Sequence, residues 1–550
     1  MSTLAVHPPQ QSSSTAGQTV RRLIVYSLLF SLVVVTAVGL QTLLGLLFDP
    51  SPDAIGDTTS TIAQGLAFTL VGGPIGAVLW WFVWRRLSDV VERRAVAWGL
   101  YVAAASTVAL IAFTTALFGT LGGLFDGDAE ASGFATALVW AAIWVWHRWM
   151  WRHASRGPVR LASVPAVLGA AFGLVVGVSG AITAFGELFD AAIMGFMPGS
   201  TVGEPWWITS LQALVWAVGG AAVWAWHWFG ERASATNTGL SAVVVIVLGI
   251  IGGTMLTLGG IGTAVYVTAR VLFDPGDSVR EVFSPLPVAL AAAAVGAIVW
   301  VYHRGVAEVR SPAVTQASEL ATSGVALAAA ASGIGVIVNS TLGILVEPLA
   351  GSDTRSLLLG GLSALIIGGP VWWLSWRPLT PTDAAGPSTG RRIYLIAVFG
   401  ISAVVALITL LVIGFRLFEV FLDGGSDLVD QIRAPLGLLT ATGLVAGYHF
   451  TVWRHDRAEA AAMAPAPRVR TIDDVVLVTA ADPAPLVHAI EAASGASVTV
   501  WRSAHADEVT PDGSTPDPDA LARALGGVSA GRVLVLVGPG DRLDVIPLAD

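Results

Sequence analysis

The chain has 550 residues, of which 54% are hydrophobic and only 12% charged, and its formal net charge is −9. Soluble domains carry about 25% charged residues, so this composition excludes an ordinary soluble protein and indicates an integral membrane protein. Cysteine is absent, which excludes disulfides, iron–sulfur clusters, thiolate metal sites and cysteine nucleophiles. Every basic residue is Arg rather than Lys, and the chain is rich in Ala, Gly and Val. This bias predicts a bacterial source.

The first apolar run follows a polar N-terminus. Residues 1–20 are rich in Pro, Gln, Ser and Thr and are predicted to be disordered. The run from Leu23 to Phe48 is longer than the roughly 7–15 residues of a signal-peptide core, so we expect an uncleaved first helix. Later runs, such as Ile62–Trp84 and Leu240–Phe273, also reach the roughly 20 apolar residues that cross about 30 Å of hydrocarbon.

A two-part pattern recurs along the chain. A long Gly/Ala-rich apolar segment ends in an acidic signature, as in Leu124-Phe125-Asp126, and a shorter apolar segment ends in an aromatic-basic signature, as in Trp144–Arg148. Internal repeats of this kind set the architecture. We therefore predict an all-α membrane bundle of about twelve transmembrane helices in six tandem hairpin repeats. The predicted hairpins 1 to 6 are residues 21–87, 91–153, 158–233, 238–310, 320–378 and 390–457.

The placement of Arg predicts the orientation of this transmembrane domain, residues 21–457. Cytoplasmic loops and helix ends carry the positive excess. Most Arg lie beside the N-terminus and at the aromatic-basic ends of the hairpins. The exceptions, which lie at the acidic ends, are Arg270, Arg280, Arg355, Arg416 and Arg433. We expect the N-terminus in the cytoplasm, the acidic ends outside, and everything after residue 457 in the cytoplasm of a bacterial cell with an inner membrane.

Glycine is concentrated in the long segments, as in Gly249–Gly253 and Gly259–Gly262. Small residues allow membrane helices to approach closely, so we expect these glycines to lie at helix–helix contacts.

The composition changes after residue 457. Residues 458–470 are predicted to be a linker, and residues 471–550 a small cytoplasmic α/β domain with a strand–helix–strand unit. The predicted strands are Val475–Thr479, Ser497–Trp501, Arg532–Val537 and Leu543–Leu548, and the predicted helices Pro485–Ala493 and Asp519–Leu525. The segment Gly538–Asp541 lies between two strands and lacks the Lys-Ser/Thr ending of a phosphate loop, which favours a hairpin turn.

Four histidines at aromatic-basic helix ends are the candidates for cofactor binding: His147, His227, His303 and His449. Histidine can ligate haem or transition metals. A His among Trp, Tyr and Arg is also typical of the interfacial belt of membrane helices, and we favour that interpretation. We therefore expect no cofactor, no metal site and no catalytic residue, although the question of an enzyme stays open.

The central parts of the predicted spans contain essentially no Asp, Glu or Arg. Ion-coupled transporters usually place such residues inside the bundle, so their scarcity disfavours that class. Gln41, Gln212 and Asn339 remain as polar groups that either line a pathway or hydrogen-bond between helices.

The hairpin pattern, with motifs such as Trp144–Arg148 and Trp300–Arg304, resembles a bacterial multi-pass membrane family, the domain of unknown function numbered 5671. The resemblance covers roughly residues 21–457. It implies a membrane-embedded protein and brings no catalytic residues with it. The fifth and sixth hairpins depart from the pattern, with Glu347 in place of Asp and looser spacing around His449.

Two functions are compatible with these features. The first is a non-catalytic scaffold or sensor, in contact with the lipid bilayer, whose residues 471–550 bind a protein partner. The alternative is a transporter or channel for a neutral or lipid-like solute. Nothing in the sequence indicates nucleic-acid binding.

Overall fold

The computed structural model describes most of the chain, with gaps at the termini and in several connections. The described residues are 15–48, 58–128, 130–195, 205–274, 276–346, 354–377, 389–423, 428–463, 472–479, 482–502, 518–528, 530–538 and 542–549. They divide into two compact units, Met1–Trp453 and Arg454–Asp550. Of the predicted 1–20 segment and 458–470 linker, residues 1–14 and 464–470 lie outside the described residues, whereas 15–20 belong to α1 and 458–463 to α16, so the helices extend further than predicted.

The first unit is helical throughout. Its helices are α1 (Thr15–Phe48), α2 (Thr58–Ala67), α3 (Gly73–Arg86), α4 (Val90–Arg93), α5 (Val96–Gly123), α6 (Ala131–Trp151), α7 (Val164–Met194), α8 (Trp206–Ala225), α9 (Gly239–Val244), α10 (Gly253–Phe273), α11 (Val279–Phe283), α12 (Leu286–Glu308), α13 (Pro312–Val346), α14 (Thr354–Trp376), α15 (Thr389–Asp423) and α16 (Leu428–Met463). The last of these continues past Trp453 into the second unit.

Ten helical segments of the described chain are long and apolar enough to cross a membrane. Helices α6 and α16 are long but fall outside this set. Helix α6 is rich in Trp and carries His147 and Arg148 near its C-terminal end, while α16 carries charged residues near both ends. The structure thus confirms a mostly helical chain with many long apolar helices.

Three π-helical segments widen the helices locally. Phe68–Gly72 joins α2 to α3, Trp226–Gly230 extends α8, and Val245–Gly252 joins α9 to α10. Such widened turns are rare and frequently occur at functional sites. Two of them hold residues singled out above, since His227 lies in the second and Gly249 in the third.

The helices pack mainly within their own hairpins, and hairpins also pack in neighbouring pairs. Helix α1 of hairpin 1 contacts α6 of hairpin 2, and α7 of hairpin 3 contacts α12 of hairpin 4. In hairpins 5 and 6 the same relation joins α13 to α16, where the backbones of Gly335 and Gly437 touch. The first helix of each odd hairpin therefore lies against the second helix of the next hairpin.

The second unit contains a four-stranded sheet. Its strands are β1 (Asp474–Thr479), β2 (Ser497–Arg502), β3 (Arg532–Val537) and β4 (Leu543–Leu548), in the order β2-β1-β3-β4. Strands β1, β2 and β3 run parallel, and β4 is antiparallel to β3. Helices α17 (Pro483–Ser494) and α18 (Pro518–Leu525) cover one face.

This sheet agrees with the predicted tail elements to within two residues at each end. The β3–β4 pairing is antiparallel, and Gly538 N–H donates to the Arg542 carbonyl at 2.9 Å. A phosphate loop would lead into a helix, whereas this segment lies between two antiparallel strands; residues 539–541 themselves lie outside the described residues.

Candidate functional site

The four candidate histidines share one local geometry. In each, ring Nδ1 lies 2.8 Å from the carbonyl oxygen four residues earlier, which belongs to Ile143, Val223, Val299 or Val445. A carbonyl only accepts hydrogen bonds, so Nδ1 carries the proton and the neutral ring presents Nε2 as an acceptor. All four side chains are buried. Each imidazole is thus anchored to its own helix with one nitrogen left to interact across the bundle.

The anchored rings pack against the first helix of the same hairpin. In hairpin 2, the Tyr101 hydroxyl lies 3.0 Å from His147 Nε2 and donates to it. In hairpins 3 and 4, the rings of His227 and His303 press on Gly169 and Gly249, where a Cβ atom would collide with the imidazole. This geometry gives the histidines a role in helix packing, and among the described residues no two of these rings stack on one another.

A cluster of aromatic rings joins hairpins 3 and 4 at their aromatic-basic ends. The Trp224 and Tyr302 rings meet edge-on at 5.5 Å and 79°, and Trp228 lies 6.0 Å from His303 at 56°. Trp228 Nε1–H donates to the Tyr302 hydroxyl at 2.6 Å.

Hairpins 5 and 6 repeat this arrangement closely. Trp372 meets Tyr448 at 5.5 Å and 78°, and Trp376 lies 5.7 Å from His449 at 56°. Trp376 Nε1–H donates to the Tyr448 hydroxyl at 2.9 Å. Hairpins 1 and 2 form a looser version, in which Trp80 lies 5.3 Å from Trp146. By this geometry His147, His303 and His449 occupy equivalent positions, whereas His227 lies on an odd hairpin and is not equivalent to them.

Hairpins 5 and 6 differ from hairpins 1 and 2 in how the buried polar atoms are paired. His449 Nε2 is buried and has no hydrogen-bond partner among the described residues, while the Tyr394 hydroxyl and Ser323 Oγ are buried and interact with each other. The Tyr394 and His449 ring centres are 6.0 Å apart, and Ser323 lies beside Tyr394. The equivalent Tyr101–His147 pair is hydrogen-bonded. These three residues, Ser323, Tyr394 and His449, are called the third-pair polar cluster below.

Arginines form contacts between and within hairpins at the same end of the bundle. Arg148 Nε donates to Glu231 Oε1 at 2.7 Å and Arg152 pairs with Oε2, while the Glu231 side chain is only 1% exposed. In hairpin 4, Arg310 Nη1 donates to Ser241 Oγ at 2.7 Å. Burial lowers the pKa of Arg310, but an arginine remains charged. These pairs fasten loops and helix ends.

The predicted polar-pathway residues lie in separate places. Trp140 Nε1–H donates to Gln41 Oε1 at 2.6 Å, and Gln212 Nε2–H donates to Asp126 Oδ2 at 2.5 Å. Asn339 Oδ1 is buried and unpaired. Gln41 and Gln212 are therefore engaged in contacts between helices.

The acidic ends carry ion pairs. Arg270 Nε lies 3.6 Å from Asp274 Oδ2, and Arg416 Nη1 lies 2.7 Å from Glu419 Oε2, as the spacing of these residues predicts. Asp49 and Glu347, which belong to the same signature, lie outside the described residues. Within the described part of the chain, no three His, Asp or Glu side chains come close enough to hold a metal ion.

A deep apolar groove lies between hairpin 4 and hairpins 5 and 6. Its volume is about 1010 Å³, at the top of the roughly 300–1,000 Å³ range of small-molecule sites. Helices α10, α13, α14 and α15 form its walls, and small residues predominate in them. Tyr394 of the third-pair polar cluster lines one end. None of Gln41, Gln212 and Asn339 is among its lining residues.

Two of the glycines expected at tight contacts line this groove instead. Gly260 packs on the Ala289 backbone and Gly253 on Trp300, in agreement with the expectation. Gly259 and Gly262 have no atom within 4 Å of where a Cβ would stand, and both face the groove. The expectation of close packing is therefore wrong for these two, because they lie on the side of α10 that leaves a space.

Sequence reasoning did not single out Ser323 or Tyr394. The only signal is positional. The aromatic-basic motif Trp80-Trp81-x-x-Trp84-Arg85 returns as Trp372-Trp373-x-x-Trp376-Arg377, and Tyr101 and Tyr394 stand at similar distances after it. Comparing hairpins in pairs would have marked Tyr394 as the counterpart of Tyr101.

Comparison with known proteins gives one result. The family model described as Domain of unknown function (DUF5671) matches two regions, and each begins at an odd hairpin and ends in the second helix of the next. No curated protein and no solved structure matches the chain. The chain therefore carries the domain of unknown function numbered 5671, in residues 22–134 and again in residues 316–444.

Proposed function

We propose that this chain is an integral protein of the bacterial cell membrane that acts as a non-catalytic scaffold or sensor, with its C-terminal unit as a cytoplasmic interaction domain. The observation that carries the proposal is the division of the chain into a helical unit with many membrane-compatible helices and a separate α/β unit. Its six hairpins begin on the cytoplasmic side and repeat in tandem, with the excess of Arg facing the cytoplasm.

The polar groups of the helical unit support a structural rather than a catalytic role. Histidine Nδ1 atoms bind their own helices, and Glu231 joins Arg148 and Arg152 across two hairpins. The histidine Nδ1 atoms are therefore engaged within their own helices, and Glu231 is engaged in ion pairs between hairpins.

The C-terminal unit supports the interaction role through its sheet. Val475, Leu477, Val533 and Val535 face the helices and are buried. The alternating residues of the two central strands, among them Val476, Val478 and Leu534, face the other side and are only partly covered. Parallel sheets are usually covered on both faces, so an apolar second face is compatible with a protein partner.

Crosslinking of the full chain in native membranes tests this proposal. We expect a defined adduct that disappears when residues 471–550 are deleted and weakens in Val478→Glu. The matched control is Glu491→Gln on the exposed helical side, which should leave the adduct unchanged. An unaltered adduct in both the deletion and Val478→Glu contradicts the proposed interaction domain.

The groove between hairpins 4, 5 and 6 favours the second candidate, a transporter or channel for a neutral or lipid-like solute. Its walls are apolar and lack charged residues, which suits such a solute better than an ion. Reconstituted vesicles that move a fluorescent neutral lipid between leaflets faster than protein-free vesicles would support transport.

A further inference from the structure

Positive charge is concentrated at the aromatic-basic end of hairpins 1 and 2 and in the loop that follows them. Residues 21–160 contain ten of the 29 arginines, all at this end, whereas residues 161–310 contain three at the corresponding ends. The acidic residues of the same end within 21–160 are Asp89 and Glu92. Glu92 pairs with Arg22, and Asp89 caps α4. These carboxylates therefore leave a large excess of positive charge.

Three of these arginines have no ion-pair partner within the described part of the chain: Arg85, Arg93 and Arg156. The guanidinium carbons of Arg85 and Arg156 lie 4.6 Å and 4.8 Å from the ring centres of Trp81 and Trp84. Arg93 is half-buried, and its Nε is buried without a hydrogen-bond partner. A guanidinium that stacks on a ring keeps its N–H donors in its own plane, so they can still bind an anion.

Backbone contacts hold these arginines within one surface. The Val159 N–H donates to the Arg93 carbonyl at 3.2 Å, which joins the loop after α6 to the end of α4. Trp98 Nε1–H donates to the Arg156 carbonyl at 3.1 Å, which fixes the same loop on α5. Because the Arg156 side chain lies over Trp84 near the end of α3, the loop, α3 and α4 present their arginines together.

An apolar groove between hairpins 1 and 2 leads away from this surface. Its volume is about 300 Å³, and residues of α1, α3 and α6, among them Gly73 and Trp146, line it without any charged side chain. Trp146 lies 5.3 Å from Trp80, which stacks at 5.5 Å on Trp84, the ring beneath Arg156. Gly73 and Trp84 are roughly 16 Å apart along α3 at 1.5 Å per residue. The arginines and the groove thus extend over about the hydrocarbon thickness of one leaflet, half of about 30 Å.

We propose that hairpins 1 and 2 bind an anionic phospholipid, with its phosphate at Arg85, Arg93 and Arg156 and one acyl chain in the groove between α1, α3 and α6. Guanidinium groups bind phosphate oxygens through charge-assisted, often bidentate hydrogen bonds. The adjoining groove selects a lipid over a free phosphate, because only a lipid brings a hydrocarbon chain. This inference goes beyond the proposed scaffold role and rests only on the membrane placement included there. It does not depend on the C-terminal unit.

Native mass spectrometry of the full chain in detergent tests the site. The probes are phosphatidylglycerol and phosphatidylcholine with identical acyl chains, titrated separately. We expect one phosphatidylglycerol to bind at least about tenfold more tightly than phosphatidylcholine. This difference should shrink as the salt concentration rises, because salt screens the attraction between the phosphate and the arginines. Glycerol 3-phosphate, which has the phosphate without the chains, should not displace the lipid.

Arginine substitutions separate the phosphate site from general surface charge. Arg156→Gln should weaken phosphatidylglycerol binding about fivefold, the effect of one Arg near an anionic headgroup. Arg304→Gln is the matched control, because Arg304 also lies over a Trp ring, 5.4 Å from the centre of Trp300, at the same end of hairpin 4. Binding should be unchanged in this control. Arg93→Gln, with the same expected loss, decides the matter if Arg156→Gln alone lowers the unfolding midpoint in lipid-free detergent.

A second pair of substitutions tests the groove. Ala77→Trp fills the groove from the exposed side of α3 and should weaken phosphatidylglycerol binding at least about fivefold. Val78→Trp is the matched control, since Val78 is the next residue of the same helix, is also exposed and does not line the groove. It should bind the lipid as the wild-type protein does.

Four results would overturn the proposal. The first is equal affinity for phosphatidylglycerol and phosphatidylcholine. The second is an equal loss in Arg304→Gln and Arg156→Gln, which means that only the overall charge matters. The third is wild-type binding by Ala77→Trp, and the fourth is displacement by glycerol 3-phosphate, which means that a free anion is recognised. Loss of the tail-dependent crosslink with lipid selectivity intact would instead contradict only the proposed interaction domain.

Discussion

The contact between Gly249 and His303 allows a test of how tightly the hairpins are built. His303 is anchored through Nδ1 to the Val299 carbonyl, and its ring lies where a Cβ on Gly249 would stand. Gly249→Ala must therefore displace either the ring or the helix. Overpacking costs about 1–3 kcal/mol, and turning the ring away costs about 1 kcal/mol for the lost hydrogen bond.

The change from Gly to Ala also has a stabilising effect on the helix, which opposes this cost. Replacing a helical Gly by Ala stabilises a helix by about 0.5–1 kcal/mol, so the overpacking cost of Gly249→Ala is reduced to a net destabilisation of about 0–2.5 kcal/mol. Gly259→Ala, in the same helical segment but facing free space, should show only the gain. The predicted change in the free energy of unfolding therefore has opposite signs for the two substitutions, although each replaces a Gly by Ala.

The assay is thermal unfolding of the purified chain in detergent, followed by the intrinsic fluorescence of its 21 Trp residues. We expect a lower midpoint for Gly249→Ala and an unchanged or higher midpoint for Gly259→Ala. In a His303→Ala background, Gly249→Ala should lower the unfolding midpoint much less than it does in the wild-type protein. If Gly249→Ala is as stable as Gly259→Ala, the packing role assigned to the anchored histidines is refuted.

Three further outcomes follow from the contacts described. Because the chain has no native cysteine, single-cysteine variants can report the orientation of the helices. Ser155→Cys should react with a membrane-impermeant maleimide only from the cytoplasmic side, and Asp128→Cys only from outside. The reverse pattern would contradict the proposed topology. Tyr101→Phe should lower stability by about 1–3 kcal/mol because it leaves a buried His147 Nε2 unpaired, and an unchanged midpoint in thermal unfolding would contradict the hydrogen bond assigned to this pair. Glu231→Gln should lower the unfolding midpoint, with a loss of about 1–3 kcal/mol in the free energy of unfolding. This loss is smaller than for a fully buried ion pair because both arginines are partly exposed. An unchanged midpoint would mean that the ion pairs contribute little.

Hydropathy and repetition were enough to predict the helical architecture. The segments beginning at Leu23, Ile62 and Leu240 are helical, since long apolar runs leave few other ways to satisfy backbone hydrogen bonds. In the C-terminal unit, short continuous runs of apolar and β-branched residues predicted β1 and β3. The number of membrane crossings and their orientation stay predictions.

The candidate site was only partly predictable, for two physical reasons. The anchored histidines were noticed because they recur beside Trp and Tyr, but the pattern does not tell which ring finds a partner across the bundle. Tyr394 and Ser323 become informative only through their contact with each other, and such pairing depends on how helices from distant parts of the chain meet. Similarly, Gly259 and Gly260 are adjacent in sequence, yet one faces a space and the other a backbone, because successive helical residues point about 100° apart.

The Nδ1 anchors also bear on how the protein moves. The imidazole is hydrogen-bonded to its own helix and packs on a glycine or tyrosine of the adjacent helix. This contact is expected to restrict sliding and rotation between the two helices of a hairpin, so that they move as one rigid body. Relative movement of hairpins is then expected where hairpin 4 meets hairpins 5 and 6 across an unfilled space, which is the groove beside α10. Movement of hairpin 4 relative to hairpins 5 and 6 is therefore expected to change the volume of this groove.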